Sequence, residues 1–210
     1  MTLSIIIGNR FQRILTFSNT QTQEQCEKET PEFYFFSSGI HQPLSPLYLG
    51  RGKKEDEFII DNESFTCVEQ YFQASKAKYF EDQNARETIM KSRNPYEMRA
   101  VRVKNFDLET WYKHCEEIMT QGIQAKVSQD DYFRRLEPPP KKLAFASADP
   151  FWGTGIALHL LIPENMKTWQ GQNKLGKIWM RILCKTPKDG GEGGEILAET
   201  FHHGEKTKAQ

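Results

Sequence analysis

The chain has 210 residues, with 28 Lys and Arg balancing 28 Asp and Glu, so its formal net charge is zero. That length suits one domain with a real core, with or without tails. The charge balance leaves no global basic field for holding long nucleic acid by counterion release, and no apolar run approaches the ~20 residues of a membrane span.

Residues 3–17 mix Ile, Leu and Phe with Arg and Gln, which suits one strand or a short hairpin. Leu3 to Ile7 is short and has no basic segment ahead of it, so it makes a poor signal peptide. The expected setting is intracellular, cytoplasmic or nuclear. Residues 18–32 have a polar linker composition with no apolar period. Residues 1–32 therefore read as an extension and linker ahead of a domain over 33–185. Phe33-Tyr34-Phe35-Phe36 is a strand candidate, and Gly50 to Glu57 an exposed loop tip. Phe58-Ile59-Ile60 predicts a second strand, followed by a turn at Asp61-Asn62.

Helices are expected over 66–80 and 83–91. Asn94-Pro95-Tyr96-Glu97 combines a capping side chain, Pro at the first helical position and Glu three residues after the cap. Asp107 is placed to cap one long helix over 108–128, in which Gly122 allows a neighbour to approach closely. A short helix near 130–136 ends at Pro138-Pro139-Pro140. Leu143 to Ala146 is a third strand candidate. Leu175, Ile178, Trp179, Ile182 and Leu183 keep the spacing of an amphipathic helix without a miss. Residues 186–210, rich in Gly, Glu, Lys and Thr, read as a disordered tail. Cys26, Cys67, Cys115 and Cys184 make no CxxC and pair with no histidine at metal-ligand spacing. Free thiols, with no metal and no redox cofactor, are the expectation.

Three segments carry candidate chemistry. In the helix over 66–80, Gln73 and Lys76 lie within about 40° of Glu69 at 100° per residue. Val68, Tyr71, Phe72, Ser75 and Tyr79 form a separate, mainly apolar row. The acid, amide and ammonium suit the edge of a cleft; alone they also suit a solvated face with a weak charge pair. Asp149-Pro150-Phe151-Trp152-Gly153-Thr154-Gly155 offers a carboxylate, a flat ring and glycines that permit close backbone approach. Alone, it also fits a turn with a buried Trp. In Trp169 to Lys177, Asn173 stands where the last helix begins. It can cap that helix, leaving N–H groups for a phosphate or ribose oxygen, with Lys174 and Lys177 adding positive charge. Alone, this is equally an ordinary Asn cap with solvent lysines.

Together, and in this order, Glu-Gln-Tyr-Phe-Gln-Ala-x-Lys, Trp-Gly-x-Gly and Gly-x-Asn-x-Leu-Gly-Lys resemble the YbiA-like, or NADAR, family. Ala125 to Gln129 and the Val103 to Asp107 run followed by Trp111 also match its pattern, and the resemblance covers residues 33–185. It implies a single α+β domain, mostly helical, with a small sheet. It also implies hydrolysis of an N-glycosidic bond between ribose C1 and a nitrogen of a guanine-like base or a riboflavin-pathway pyrimidine intermediate. Carried across by motif, Glu69, Lys76 and Asp149 are the implied catalytic residues. Gln73, Trp152, Gly153, Gly155, Asn173 and Gly176 are the implied substrate-binding ones. The expected partner is a small phosphorylated ribosyl-base. The alternatives are ADP-ribosyl-guanine in nucleic acid as substrate, or a non-catalytic nucleotide or ADP-ribose binding module.

The chain departs from the family pattern in three places. Pro46 replaces an Asn, Val101 replaces an Arg expected to bind substrate, and Phe145 replaces a Glu. Arg99 and Arg102 stand near the missing Arg, but helix geometry is expected to point both elsewhere.

Overall fold

Four consecutive aromatic residues cannot all face water, and Phe33–Phe36 resolves this by becoming the central strand of a sheet. The computed structural model describes residues 27–50 and 56–185. Strand β1 (Glu27–Glu29) pairs antiparallel with β2 (Phe33–Phe36), which pairs in parallel with β5 (Lys142–Phe145). Phe33 stands opposite Lys142, and Phe36 opposite Phe145. Successive side chains point to opposite faces. Phe36, Leu143 and Phe145 enter the main core, while Phe35 and Ala144 enter a second cluster with Leu158, Leu161 and Met166.

Strands β3 (Phe58–Ile60) and β4 (Glu63–Phe65) form a separate hairpin. Its turn residues Asp61 and Asn62 take φ of 51° and 64°, the left-handed geometry that a two-residue hairpin needs. The described residues also contain a 3-10 turn at Leu158–Leu160 and seven α-helices: α1 (Val68–Tyr79), α2 (Gln83–Lys91), α3 (Pro95–Ala100), α4 (Leu108–Tyr112), α5 (Cys115–Gln129), α6 (Asp131–Arg134) and α7 (Lys174–Lys185). The architecture is the expected mostly helical α+β domain. Among the described residues no helix is long and apolar enough to cross a membrane.

Helix α7 lays Leu175, Ile178, Trp179, Ile182 and Leu183 into the main core, as its spacing demands. Trp179 Nε1 donates to Leu44 O at 2.8 Å, which satisfies the buried indole. The Ala125 to Gln129 run is structural. Lys126 is buried between the Tyr48 and Phe58 rings and donates to Asp56 O. The Gln129 amide both donates to and accepts from the Ile59 backbone at 2.8 Å, fastening α5 to β3.

Three expectations change. The polar segment over 18–32 contains β1, an edge strand whose partner β2 supplies the apolar surface, so it needs no apolar period of its own. The single helix over 108–128 is two helices, broken at Lys113 and His114, although Asp107 does cap the first through Thr110 N. The break lets α4 press Trp111 onto Phe72 and Phe80 while α5 runs along α1. Glu97 does not complete a capping box; it accepts from Ser92 Oγ at 2.9 Å, while Asn94 caps alone. The strand or hairpin expected over 3–17, most of the 50–57 loop tip and the tail over 186–210 lie outside the described residues.

Gly122 marks the crossing of α5 on α1. A Cβ there would lie 2.7 Å from Tyr71 Cδ1 and 3.2 Å from Val68 Cγ1. Gly122→Ala improves helix propensity by ~1 kcal/mol but overpacks the crossing at a cost of ~1–3 kcal/mol. The expected net effect is a lower urea midpoint, and a raised midpoint would show that the crossing is loose.

Candidate functional site

The site grows from the first turn of α1. Chain entry is set by the backbone: Glu69 N donates to Pro46 O at 2.8 Å, and Thr66 N donates to Gln70 Oε1 at 2.8 Å. Gln70 Nε2 faces the carbonyls of Ile89, Met90 and Ser92, tying α1 to the end of α2. With Gln70 committed to structure, Glu69 projects about 100° away from it around the helix, where it is only 3% exposed.

That carboxylate receives three hydrogen bonds. Gln73 Nε2 donates to Oε1 at 2.8 Å, Arg99 Nε donates to Oε1 at 3.1 Å, and an Arg99 terminal nitrogen (Nη2) donates to Oε2 at 2.8 Å. The fork geometry of the guanidinium matches a carboxylate. Arg99 comes from α3, which Asn94 caps and fully buried Met98 anchors. The Arg99 side chain is 45% exposed and that of Glu69 4%, so the guanidinium lies between the carboxylate and solvent. Burial opposes the charge on Arg99, but the hydrogen bonds and charge of Glu69 outweigh it and hold its pKa above the ordinary range.

Lys76, two turns on, is half-buried with its ammonium 5.4 Å from the Phe106 ring centre. Burial lowers its pKa; Glu69 opposes that shift and Arg99 adds to it. Trp152 packs edge-on against Phe72 of α1 at 5.6 Å. Phe151 stacks on Tyr112 at 4.3 Å, with the Lys174 ammonium 4.8 Å from its ring centre. Asp149 is exposed and shapes this loop: its Oδ1 accepts from Phe151 N at 2.8 Å and Trp152 N at 3.0 Å.

The glycines and Asn173 have a different place. Asn173 does not cap α7 with its side chain. Its Oδ1 accepts from Phe145 N at 2.9 Å and its Nδ2 donates to Leu143 O at 3.0 Å, so the amide extends the edge of β5 like a strand residue. A left-handed backbone, φ 49°, turns it there. The N–H groups of Gly171, Gln172, Asn173 and Leu175 donate to Thr154, Pro150, Gly153 and Trp152 carbonyls, respectively. A Cβ on Gly153 would lie 2.6 Å from Phe145 O, and one on Gly176 would collide with Leu143 O. These glycines admit backbone against backbone. Gly155 is required for its φ of 79° instead.

The structure thus gathers Glu69, Gln73 and Lys76 along α1, with Trp152 against the same helix through Phe72. Asp149 heads the Trp152 loop. Asn173 and Gly176 lie behind that loop against β5. Two residues of the site go unassigned in the sequence. Phe106 is signalled by its place in the Val103 to Asp107 run; it follows Asn105, whose φ of 54° makes the turn. Arg99 is the larger correction: it points at Glu69, because short α3 packs against α1 at an angle that periodicity cannot supply. Phe145 packs against the Phe36 ring at 5.3 Å, so that position is apolar floor. Burial pushes the Cys67 and Cys115 thiols up to about 11, which makes them poor nucleophiles. Among the described residues no three His, Cys, Asp or Glu side chains group as a metal site.

Two outcomes follow from this geometry. Arg99→Met strands a buried carboxylate and lowers stability by ~1–3 kcal/mol. Arg99→Met/Glu69→Gln removes the stranded charge, so the double variant is expected to melt above Arg99→Met alone. A double variant melting lower would show that the carboxylate is solvated another way. The second outcome concerns pH. A lysine whose folded pKa lies below its unfolded one adds stability as pH rises toward 10.5. Lys126 acts in the same direction, while buried Tyr71, Cys67 and Cys115 act against it. The test is therefore a difference: between about pH 8 and pH 10, Lys76→Met should gain less, or lose more, stability than the parent in urea melts.

Comparison with known proteins agrees with this architecture. A model of the NADAR domain matches residues 13–184, beginning ahead of the strand at Phe33. The chain is 32% identical over 169 residues to N-glycosidase R617 of Acanthamoeba polyphaga mimivirus, covering 73% of this chain and 96% of that protein. It is 28% identical over 182 residues to protein irg-1 of Caenorhabditis elegans, covering 80% and 82%. The NMR structure of the E. coli protein YbiA superposes with a TM-score of 0.55 at 23% identity, over 76% of this chain and 86% of that one. At that identity the likeness speaks for the fold. With the family model spanning most of its length, the chain belongs to the NADAR domain family.

Proposed function

We propose that this protein is an N-glycosidase that hydrolyses the bond between ribose C1 and a ring or exocyclic nitrogen of a guanine-like base or related riboflavin-pathway pyrimidine. The observation that carries this reading is the buried Glu69 carboxylate, held by Arg99 and Gln73 beside a desolvated lysine, with the Trp152 ring against the same helix. The N-glycosidase name of the mimivirus relative supports it at the level of reaction class.

In this reading the C1–N bond breaks and its electron pair leaves with the base, so positive charge spreads over the ribose ring. Glu69 stabilises that charge, and it takes a proton from the water that attacks C1. Arg99 is the cation paired with Glu69, which leaves the Lys76 ammonium available for a different step. The lowered pKa makes the Lys76 ammonium a better acid, suited to protonating the departing nitrogen. Trp152 supplies a stacking face for the base. Access to Glu69 requires the Arg99 guanidinium to shift or to share its outer donors with the ligand.

One observation favours a second reading. Arg99 pairs with buried Glu69 while its own side chain stays 45% exposed, an arrangement suited to holding a phosphate without chemistry. A binding module for nucleotides or ADP-ribose has this property; ADP-ribosyl-guanine in nucleic acid is the alternative substrate for the enzyme.

The deciding experiment incubates the protein with ribosylated purines and pyrimidines, including ADP-ribosyl-guanine, and measures free ribose phosphate or ADP-ribose. Glu69→Gln is expected to lower turnover on the order of 10²–10³-fold per folded molecule, with melting curves setting the folded fraction. Unchanged turnover would remove Glu69 from the mechanism. Tight binding with no cleavage of any member would make the protein a binding module.

A further inference from the structure

Gln73 is 5% exposed, and its Nε2 donates to Glu69 Oε1 at 2.8 Å. An ionised carboxylate only accepts, so this contact decides which end of the amide faces Glu69. The carbonyl end faces away from it, and among the described residues the buried Gln73 Oε1 has no hydrogen-bond partner. Such an orphan is uncommon in native interiors and unfavourable while it lasts. Flipping the amide gives no relief. It would set the carbonyl oxygen against a carboxylate oxygen that already receives Arg99 Nε. The site is therefore built with a fixed acceptor awaiting an O–H or N–H group.

We propose that Gln73 Oε1 receives the ribose 2-hydroxyl of the substrate, making the site selective for ribosyl over 2-deoxyribosyl compounds. This rests on the N-glycosidase reading, which places Glu69 at ribose C1. The 2-hydroxyl is borne on the next carbon, and Gln73 Oε1 is the next polar atom along α1, one hydrogen bond and one amide width from the carboxylate. The sign of the interaction fits the chemistry. An acceptor draws the hydroxyl proton away and raises electron density on a sugar that is becoming cationic, and contacts at this hydroxyl strengthen in glycosidic transition states. A donor at the same place would work against the reaction. Lys76, three residues on, makes no hydrogen bond to Gln73, and the shift of Arg99 that admits a ligand to Glu69 is also what uncovers this buried oxygen.

The test is calorimetry of the full chain with ribose 5-phosphate and with 2-deoxyribose 5-phosphate. Neither sugar carries a base, so any difference belongs to the hydroxyl. Leaving a built acceptor unpaired should weaken binding of the deoxy sugar by ~10–100-fold. In Gln73→Met, which keeps length and burial, that ratio should fall to about one. If Gln73→Met does not fold, 2-deoxy-2-fluororibose 5-phosphate on the parent replaces it; fluorine fills the position without donating and should bind as weakly as the deoxy sugar. Equal affinity of the parent for ribose and deoxyribose phosphates overturns this assignment alone, as does a ratio that survives in Gln73→Met. Failure of the parent to bind either sugar overturns the N-glycosidase reading and this assignment with it.

Discussion

A carboxylate sealed to 4% exposure has lost the hydrogen bonds that water would give it, and Arg99 supplies most of their replacements. The rest of the site follows from that pairing. Helix α3 must end against α1, so Met98 is buried to anchor it, and Asn94 with Pro95 starts it at the right place. The Pro46 carbonyl holds the Glu69 backbone while the side chain is gripped from the other end. A pair of this kind adds little net stability compared with an apolar packing of the same volume, because both charges lose hydration. Its presence is better understood as the cost of keeping a charged group poised where water is scarce.

The same arrangement redistributes roles among the polar residues of α1. Gln70 and Gln73 are both buried amides, yet they do opposite things. Gln70 is satisfied at both ends, by Thr66 on one side and the end of α2 on the other, and is part of the frame. Gln73 is satisfied at one end. Among the described residues Lys76 loses solvation without gaining a salt bridge; it has a ring face beside it and feels the more distant charges of Glu69 and Arg99. A half-satisfied row of this sort is unfavourable for folding and useful for meeting a ligand.

The glycine-containing motifs show how recognition of a pattern differs from recognition of a site. Gly153 and Gly176 stand where a side chain would strike the β5 backbone, and Asn173 spends both ends of its amide on that strand. What they do in the fold is structural: they hold the Trp152 loop so that its ring meets Phe72. A binding role at ligand-free N–H groups of α7 is the weaker account, since Leu175 N already donates to the Trp152 carbonyl.

Local chemistry was readable from the chain itself. The spacing of Leu175, Ile178, Trp179, Ile182 and Leu183 required a buried helix face, Asp61-Asn62 required a hairpin turn, and the row of Glu69, Gln73 and Lys76 followed from helical period alone. Each depends on residues within a few positions of one another, where backbone geometry is regular. What the tertiary structure decided are angles and partners between distant segments. Arg99 lies thirty residues from Glu69, and only the packing of α3 on α1 turns its guanidinium inward. The break at Lys113 and His114 keeps the apolar phase on both sides, so no periodicity reveals it. Asn173 has the sequence of a helix cap and the backbone of a left-handed turn, and the open hydrogen bonds of β5, twenty-eight and thirty residues away, determine which way its amide faces.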